Sequence, residues 1–275
     1  MKGLTSRRLP TAAAAFAVLT AGCGALDRFE DGGATVFVFA THHATPEDGV
    51  FPNRGDDALP REFDSTDGWT VTLFEAYVTV AAVTLVACSG TEYELNMFWG
   101  PCPEDFKDQD LATLTVAGTR VGDGDYCGLR VTYDAYQMPV IDQEAEETRH
   151  ETPDNPMVEG ATIYMRGAAQ MGDAERIDFD LTSSETVVVD LDLSEIEGDN
   201  APFNVAHRED FPKELLISKT YDRFFDGVDF NTLDPAAVEG QFARILAEQT
   251  RVSEGTNVTL DEDEMAPSMD DETGS

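Results

Sequence analysis

Residues 69–87 form the densest run of β-forming residues in the chain, and the rest of the fold has to be built against them. Valine, threonine, leucine and aromatic residues dominate this run, which contains neither proline nor glycine. Apolar and polar residues alternate, but the alternation slips by one residue at Phe74–Glu75 and again before Val83. Each slip predicts a β-bulge or a bend between two strands. The alternative, a buried helix, is disfavoured by the β-branched content, although periodicity alone does not decide between the two.

The remaining apolar segments are short and are separated by glycine, proline and aspartate. They predict further strands at residues 34–41, 93–99, 111–116, 126–133, 161–168, 176–182, 186–193 and 215–218. About nine short strands with such turns favour an all-β fold, a β-sandwich of immunoglobulin-like or related type.

One helix is predicted, and it follows the strands. Asp234 is a favourable N-cap and Pro235 suits the first helical position. The apolar residues that recur at helical spacing are Val238, Phe242, Ile245 and Leu246. Because they share one face, this C-terminal helix is expected to lie against the sheets.

The N-terminus has the layout of a secretory signal peptide. A basic start precedes an apolar or small run over residues 9–22, which is too short to span a bilayer. Residues 19–23, Leu-Thr-Ala-Gly-Cys, resemble the lipobox of bacterial lipoproteins. The resemblance implies cleavage before Cys23 and lipidation of this cysteine; the alternative is an ordinary secretory signal with an incidental cysteine. Gly24 follows, which in lipoproteins of Gram-negative bacteria resembles an outer-membrane address.

These features divide the chain into four predicted parts. They are a signal peptide (1–22), a lipidated cysteine with a flexible tether (23–33), one β-sandwich domain (34–252) and an acidic disordered tail (253–275).

The charge balance limits the possible partners. Removal of residues 1–22 leaves 15 basic and 54 acidic residues, a net charge of −39. Such a charge argues against nucleic acid as a partner and against electrostatic docking on anionic lipid, so the membrane would be reached through the lipid anchor. Two explanations of the acidity stay open: a solvated acidic surface, or clustered carboxylates that bind hard cations.

Lipidation of Cys23 would leave Cys88, Cys102 and Cys127. An oxidising envelope favours a disulfide, but three cysteines cannot all pair within one chain. Cys88 and Cys127 both lie at predicted strand ends, so we predict a disulfide between them, with Cys102 free or as the alternative partner. A zinc site is less favoured because the C-x-x-C spacing is absent.

Sequence patterns typical of catalysis are absent. The chain contains no nucleophile elbow, H-E-x-x-H zinc helix, P-loop or dinucleotide fingerprint. Its four histidines are scattered among predicted loops. The sequence therefore predicts a non-enzymatic protein.

His42 and His43 are the most suggestive pair for metal binding, because imidazole binds copper and zinc well. They are predicted at the exit of the first strand, before a long loop rich in proline and aspartate over residues 44–68. Neighbouring strand residues point to opposite faces, so both imidazoles reach one metal only if the backbone turns there. Such a site could be completed from other loops by His150, His207, Met157 or Cys102. The alternative is two partly exposed loop histidines without a ligand.

Acidic residues suggest two further cation sites. Residues 122–125, Gly-Asp-Gly-Asp, lack the other ligands and the distal glutamate of an EF-hand loop, so a plain turn is predicted. Alternating aspartates also occur in two consecutive predicted strands, at Asp178 and Asp180 and at Asp190 and Asp192. If the strands were neighbours, these carboxylates could form a cation platform or simply the solvent face of an acidic protein.

A family resemblance enters through four features in order: a strand ending in His-His, a long proline/aspartate loop, Gly-Trp-Thr-Val-Thr-Leu at residues 68–73, and a strand ending in Cys88. This layout resembles a group of envelope lipoproteins and, more distantly, the methanobactin-associated (MbnP-like) copper-binding β proteins. The resemblance covers residues 34–135 and, through the histidine-containing loop and Trp69, implies copper binding.

Two functional hypotheses follow from the sequence. The first is a lipid-anchored cell-envelope protein with a non-enzymatic, structural or binding role, placed at the outer membrane and open to a protein partner. The second is an envelope protein that binds copper or zinc through His42, His43 and the following loop.

Overall fold

The computed structural model describes residues 33–55, 60–137, 156–197, 201–206, 212–255 and 258. Within these residues the chain forms thirteen strands and one α-helix. The strands are β1 (Ala34–His43), β2 (Arg61–Asp64), β3 (Thr70–Ala87), β4 (Glu92–Glu94), β5 (Cys102–Asp105), β6 (Leu114–Val121), β7 (Gly124–Tyr133), β8 (Ile163–Gln170), β9 (Ile177–Ser183), β10 (Val187–Asp192), β11 (Phe203–Val205), β12 (Lys213–Thr220) and β13 (Thr250–Glu254). The helix is α1 (Pro235–Gln249). The predicted signal peptide, Cys23, His150 and His207 lie outside the described residues.

The β-rich stretch at residues 69–87 is the central strand of a nine-stranded sheet, as one continuous β3 of 18 residues. Its pairing with β8 shifts register between Leu73 and Glu75, and its pairing with β7 shifts between Val80 and Ala82. These are the two places where the apolar alternation slips. The prediction of bulges is therefore confirmed, and the chain does not break into two strands.

The length of β3 lets several short strands pair with it end to end. On one side lie β2, β5 and β4; on the other, β8 pairs with its first half and β7 with its second half. β9 then pairs with β8, and β10 pairs with β7. β9 and β10 consequently do not pair with each other, so the aspartates that the two strands carry do not form a platform on neighbouring strands.

The second sheet has four strands in the order β13-β12-β1-β6. β1 is parallel to β12 and antiparallel to β6. The connection between β6 and β7 at residues 122–123 passes from this sheet to the nine-stranded one, in the place where a turn was predicted. The two sheets enclose a common apolar core, which confirms the all-β, sandwich-type fold.

The C-terminal helix packs where its sequence pattern predicted. Val238, Phe242, Ile245 and Leu246 are its buried residues, and Asp234 is the N-cap, although its side chain makes no capping hydrogen bond. Phe242 contacts Phe224 and Phe225, with ring centroids 5.8 and 5.3 Å apart. In the described part of the chain, no helix is long and apolar enough to cross a membrane.

Four short strands were missed, each three to five residues long. β2 lies inside the segment 44–68 that was predicted as a loop, and β11 was not predicted.

The Gly-Pro-Cys-Pro segment at residues 100–103 was predicted as a sharp turn, but Cys102 begins β5. This strand pairs with β3 only, so it tolerates a proline. β13 follows α1 directly and pairs with β12, so the predicted domain boundary at residue 252 falls inside a strand.

The predicted disulfide is confirmed. Cys88 and Cys127 are bonded, with their Cα atoms 4.8 Å apart. The register shows why: it shifts between Val86 and Ala87, which leaves Cys127 as an extra residue between Gly128 and Tyr126, beside the end of β3 that Cys88 follows. Cys102 is free and buried.

Candidate functional site

Three ionisable side chains meet where the two sheets face each other: His42, Glu104 and Lys219, which we call the buried cluster. His42 and Lys219 lie opposite each other in the parallel pair β1–β12 of the four-stranded sheet. Glu104 comes from β5 of the nine-stranded sheet. Its carboxylate is 3.0 Å from His42 Nδ1 through Oε1 and 2.6 Å from Lys219 Nζ through Oε2. The buried cluster therefore joins the two sheets by charge.

Both ring nitrogens of His42 face hydrogen-bond acceptors. Nε2 lies 3.0 Å from the backbone carbonyl oxygen of Asp108, which can only accept. Nδ1 lies 3.0 Å from the carboxylate of Glu104. The ring is therefore fixed between the loop after β5 and the carboxylate.

The charged groups of Lys219 and Glu104 are shielded from water. Lys219 is fully buried, and the side chain of Glu104 is only 4% exposed. Burial alone would raise the pKa of Glu104, but the positive charge of Lys219 and the hydrogen bond from His42 hold this pKa below its ordinary value. Burial alone would lower the pKa of Lys219, whereas the charge of Glu104 raises it. The carboxylate and the ammonium thus stabilise each other's charged form.

Cys102 and Tyr133 belong to the surroundings of the buried cluster. Both lie opposite Val80, one on each side of β3. Burial, followed by the negative charge of Glu104, raises the pKa of Cys102 to about 12, so this cysteine is a protonated thiol at neutral pH. The ring of Tyr133 lies 5.9 Å from Lys219 Nζ, and its hydroxyl is 3.1 Å from that of Thr250 on β13. Neither of these two neighbours supplies a second carboxylate to Lys219.

Arg61 lies next to the buried cluster, against the loop that follows β5. Arg61 is 1% exposed, and its guanidinium donates to the backbone carbonyl oxygens of Phe106, Lys107 and Asp108. The Asp108 carbonyl also accepts from His42, and the ring of Phe106 stacks on His42 with centroids 4.8 Å apart. The loop after β5 is therefore held by the buried side chains of Arg61 and His42.

The two histidines of the predicted metal site do not sit as predicted. His42 and His43 are the last two residues of β1, not loop residues, and each is only 1% exposed. Because the backbone does not turn there, their rings point to opposite faces. His43 Nδ1 lies 2.9 Å from the carbonyl oxygen of Ala44, and its ring packs edge-on against Phe51. The alternative interpretation, two partly exposed loop histidines, is therefore wrong.

The structure does not bring together the expected set of metal ligands. Among the described residues no group of three or more histidine, cysteine, aspartate or glutamate side chains is placed to hold a metal ion. Met157 lies in the 3₁₀ turn Pro156–Val158 and is exposed. Copper or zinc binding through His42 and His43 stays a prediction from the sequence, and it would require His42 to give up its bond to Glu104 or to Asp108.

The surface aspartates of β9 and β10 pair with arginines. Asp178 is 3.1 Å from Arg176 and Asp190 is 2.7 Å from Arg130, and both carboxylates are largely exposed. Asp192 accepts a hydrogen bond from the backbone of Ser194. This arrangement is the solvent face of an acidic protein, the second of the two interpretations offered by the sequence.

Sequence reasoning missed most of the buried cluster. Glu104 and Lys219 are far apart in the chain, and charged residues in an acidic sequence were assigned to the surface. One signal was present: Lys219 directly follows the apolar run at residues 215–218, in which a strand was predicted. A lysine that continues such a strand is a candidate for burial when a carboxylate is available, but the sequence does not reveal which carboxylate.

Comparisons with known proteins add little beyond the fold. No family model matches the chain, and no curated protein matches it in sequence. Among solved structures, the chain is similar to MbnP from Methylosinus trichosporium, with 10% sequence identity and a TM-score of 0.41. The match covers 81% of this chain and 99% of that one. This match is too remote to transfer a ligand or the role of any residue to this chain.

Proposed function

We propose that this protein is a lipid-anchored module of the cell envelope with a non-enzymatic, structural or binding role. The observation that carries the proposal is the segment at residues 19–23, with its lipobox form and its basic and apolar preceding residues. Several acyl chains on Cys23 would give firm attachment, since each buried CH₂ contributes about 0.8 kcal/mol.

The internal construction of the domain supports a structural or binding role rather than catalysis. Its buried polar groups contact one another: His42 and Arg61 lie against the loop after β5, and Glu104 lies between His42 and Lys219. A catalytic group has to reach its substrate, whereas these side chains are enclosed between the sheets. The disulfide between Cys88 and Cys127 suits an oxidising compartment.

The anchor is tested by expressing the full chain and its Cys23→Ala variant in a Gram-negative host and separating membrane from soluble fractions. We expect the full chain in the outer-membrane fraction and labelled by an alkyne fatty acid. The variant should carry no label and should not be processed at this position. An unlabelled full chain, or a Cys23→Ala chain that is labelled and processed like it, would contradict the proposal. A Cys102→Ala variant is the matched control and should behave like the full chain, because Cys102 is buried in the folded domain.

A further inference from the structure

The contact between Lys219 and Glu104 differs from the other lysine–carboxylate pairs of the described chain. Lys219 Nζ and Glu104 Oε2 are 2.6 Å apart, yet neither atom has a partner that meets the geometry of a hydrogen bond. Their angle of approach therefore lies outside the hydrogen-bonding range. The carboxyl carbon is one C–O bond from Oε2, so it lies no more than about 4 Å from Nζ.

A surface pair in the same chain shows the ordinary arrangement. Lys213 Nζ donates to Glu197 Oε1 and to Glu254 Oε1, each at 2.9 Å and each with hydrogen-bond geometry. Its side chain is 18% exposed, so water reaches this pair. Lys219, in contrast, is fully buried, and its recorded ion pair is with the single carboxylate of Glu104.

From this geometry we propose that Lys219 and Glu104 form an intramolecular amide bond, a covalent crosslink between the two sheets. It is independent of the lipid anchor. Oε2 first takes one proton from the ammonium of Lys219, which leaves a neutral amine beside a carboxylic acid. The amine nitrogen Nζ then attacks Glu104 Cδ; the bond formed is Nζ–Cδ, and the bond broken joins Cδ to Oε2. The ammonium contributes two protons to that oxygen, which leaves as water, and one proton stays on the amide nitrogen. Both charges disappear, and no oxidant or reductant is needed.

His42 is placed to polarise the carboxyl group. Its Nδ1 faces Oε1, the oxygen that does not contact Lys219 and that remains as the amide carbonyl oxygen. A hydrogen bond from Nδ1 to Oε1 stabilises the negative charge that this oxygen gains while Nζ attacks the carbon. The bond of Nε2 to the Asp108 carbonyl keeps the ring in this orientation. His42 thus acts on the side of Glu104 away from the nucleophile.

Burial favours the reaction in two ways. The folded sheets hold amine and carboxyl together, and intramolecular reactions with well-aligned groups reach effective concentrations of about 10⁵–10⁸ M. The product also replaces two buried charges, which are costly away from water, with a neutral amide. Because Lys219 is fully buried, the water that leaves is not readily replaced to hydrolyse the bond.

Peptide mass spectrometry tests the crosslink directly. The purified processed protein is unfolded, reduced, alkylated and digested with trypsin, which cleaves after lysine and arginine. We expect no cleavage after Lys219, and a branched species that joins residues 62–107 to residues 214–223, lighter than their sum by one water. Cleavage after Lys213 should be complete, because that lysine keeps its free amine; it is the internal control.

Four variants complete the test. Lys219→Met and Glu104→Met should each lose the branched species. The Lys213→Met variant, which lacks the cleavage site after residue 213, should keep the crosslink and show it between residues 62–107 and 209–223. Wild-type protein that yields residues 214–219 with a free lysine amine and no branched species overturns the proposal, and this result does not depend on whether any variant folds. A His42→Gln variant should be crosslinked in a smaller fraction of molecules; crosslinking as complete as in the wild type would overturn the role given to His42.

Discussion

Replacing Glu104 with methionine should destabilise the domain strongly, because it removes the partner of the buried Lys219 and with it the proposed crosslink. Lys219 is fully buried, and in the variant its ammonium has no carboxylate. Leaving one charge of a buried ion pair uncompensated costs about 3–5 kcal/mol. We expect a loss of at least this size for Glu104→Met.

The double variant Glu104→Met/Lys219→Met separates charge from packing. If the uncompensated ammonium causes the loss, removing it should restore part of the stability, so the double variant should be more stable than Glu104→Met alone. The matched control is Glu248→Met, the same substitution in an exposed pair with Arg244 on α1, in which the side chain of Glu248 is 54% exposed. That control should cost about 0.5 kcal/mol or less.

The assay is equilibrium unfolding in urea, followed by far-ultraviolet circular dichroism and by the fluorescence of Trp69, which is 2% exposed and will report loss of the core. A Glu104→Met variant no less stable than Glu248→Met would refute the reasoning. The same holds if the stability lost by the double variant equals the sum of the losses of Glu104→Met and Lys219→Met measured singly. That result would show no coupling between the two side chains.

Three further outcomes are expected. The thiol of Cys102, with its pKa raised to about 12 by burial, should resist iodoacetamide in the native protein at pH 9 and react once it is unfolded; rapid native alkylation, measured by mass, would contradict its burial. Replacing Cys88 and Cys127 together by alanine should cost about 4 kcal/mol in urea unfolding, as expected for a disulfide spanning 39 residues, and a loss below about 1 kcal/mol would contradict this. Burial raises the pKa of Asp222, so its ionisation opposes folding as pH rises above about 3.9, the unfolded value. The stability of Asp222→Asn relative to wild type should therefore increase from pH 4 to pH 7, and a decrease over that range would refute the assignment.

The features that the sequence predicted well depend on neighbouring residues. The slips in alternation at Phe74–Glu75 and before Val83 are local breaks of a two-residue period, and a bulge is their direct structural consequence. The apolar face of α1 likewise follows from a spacing that the chain itself displays. Cys88 and Cys127 could be paired because each lies at the end of a strongly patterned strand.

The features that were missed depend on contacts between distant parts of the chain. β5 is a strand only because β3 offers it backbone partners, which a proline-rich four-residue segment does not indicate. The predicted strand stopped at Thr41, ahead of His42, His43 and the loop rich in proline and aspartate, yet β12 pairs with β1 through His43. The sequence likewise did not reveal the partner of Lys219, because the two members of an ion pair between sheets have no characteristic separation along the chain.

His42 and His43 are buried at the end of β1, and we predict that they do not bind copper or zinc. Metal titration of the processed protein tests this prediction most directly. The protein, its His42→Ala/His43→Ala variant and a chelator-treated control are titrated with copper(II) and with zinc(II) in a calorimeter, and retained metal is measured after desalting. We predict no micromolar binding that depends on these two histidines, because His42 is bonded at both nitrogens and His43 lies on the opposite face. Stoichiometric micromolar binding by the wild type that the double variant loses while it stays folded would contradict the account.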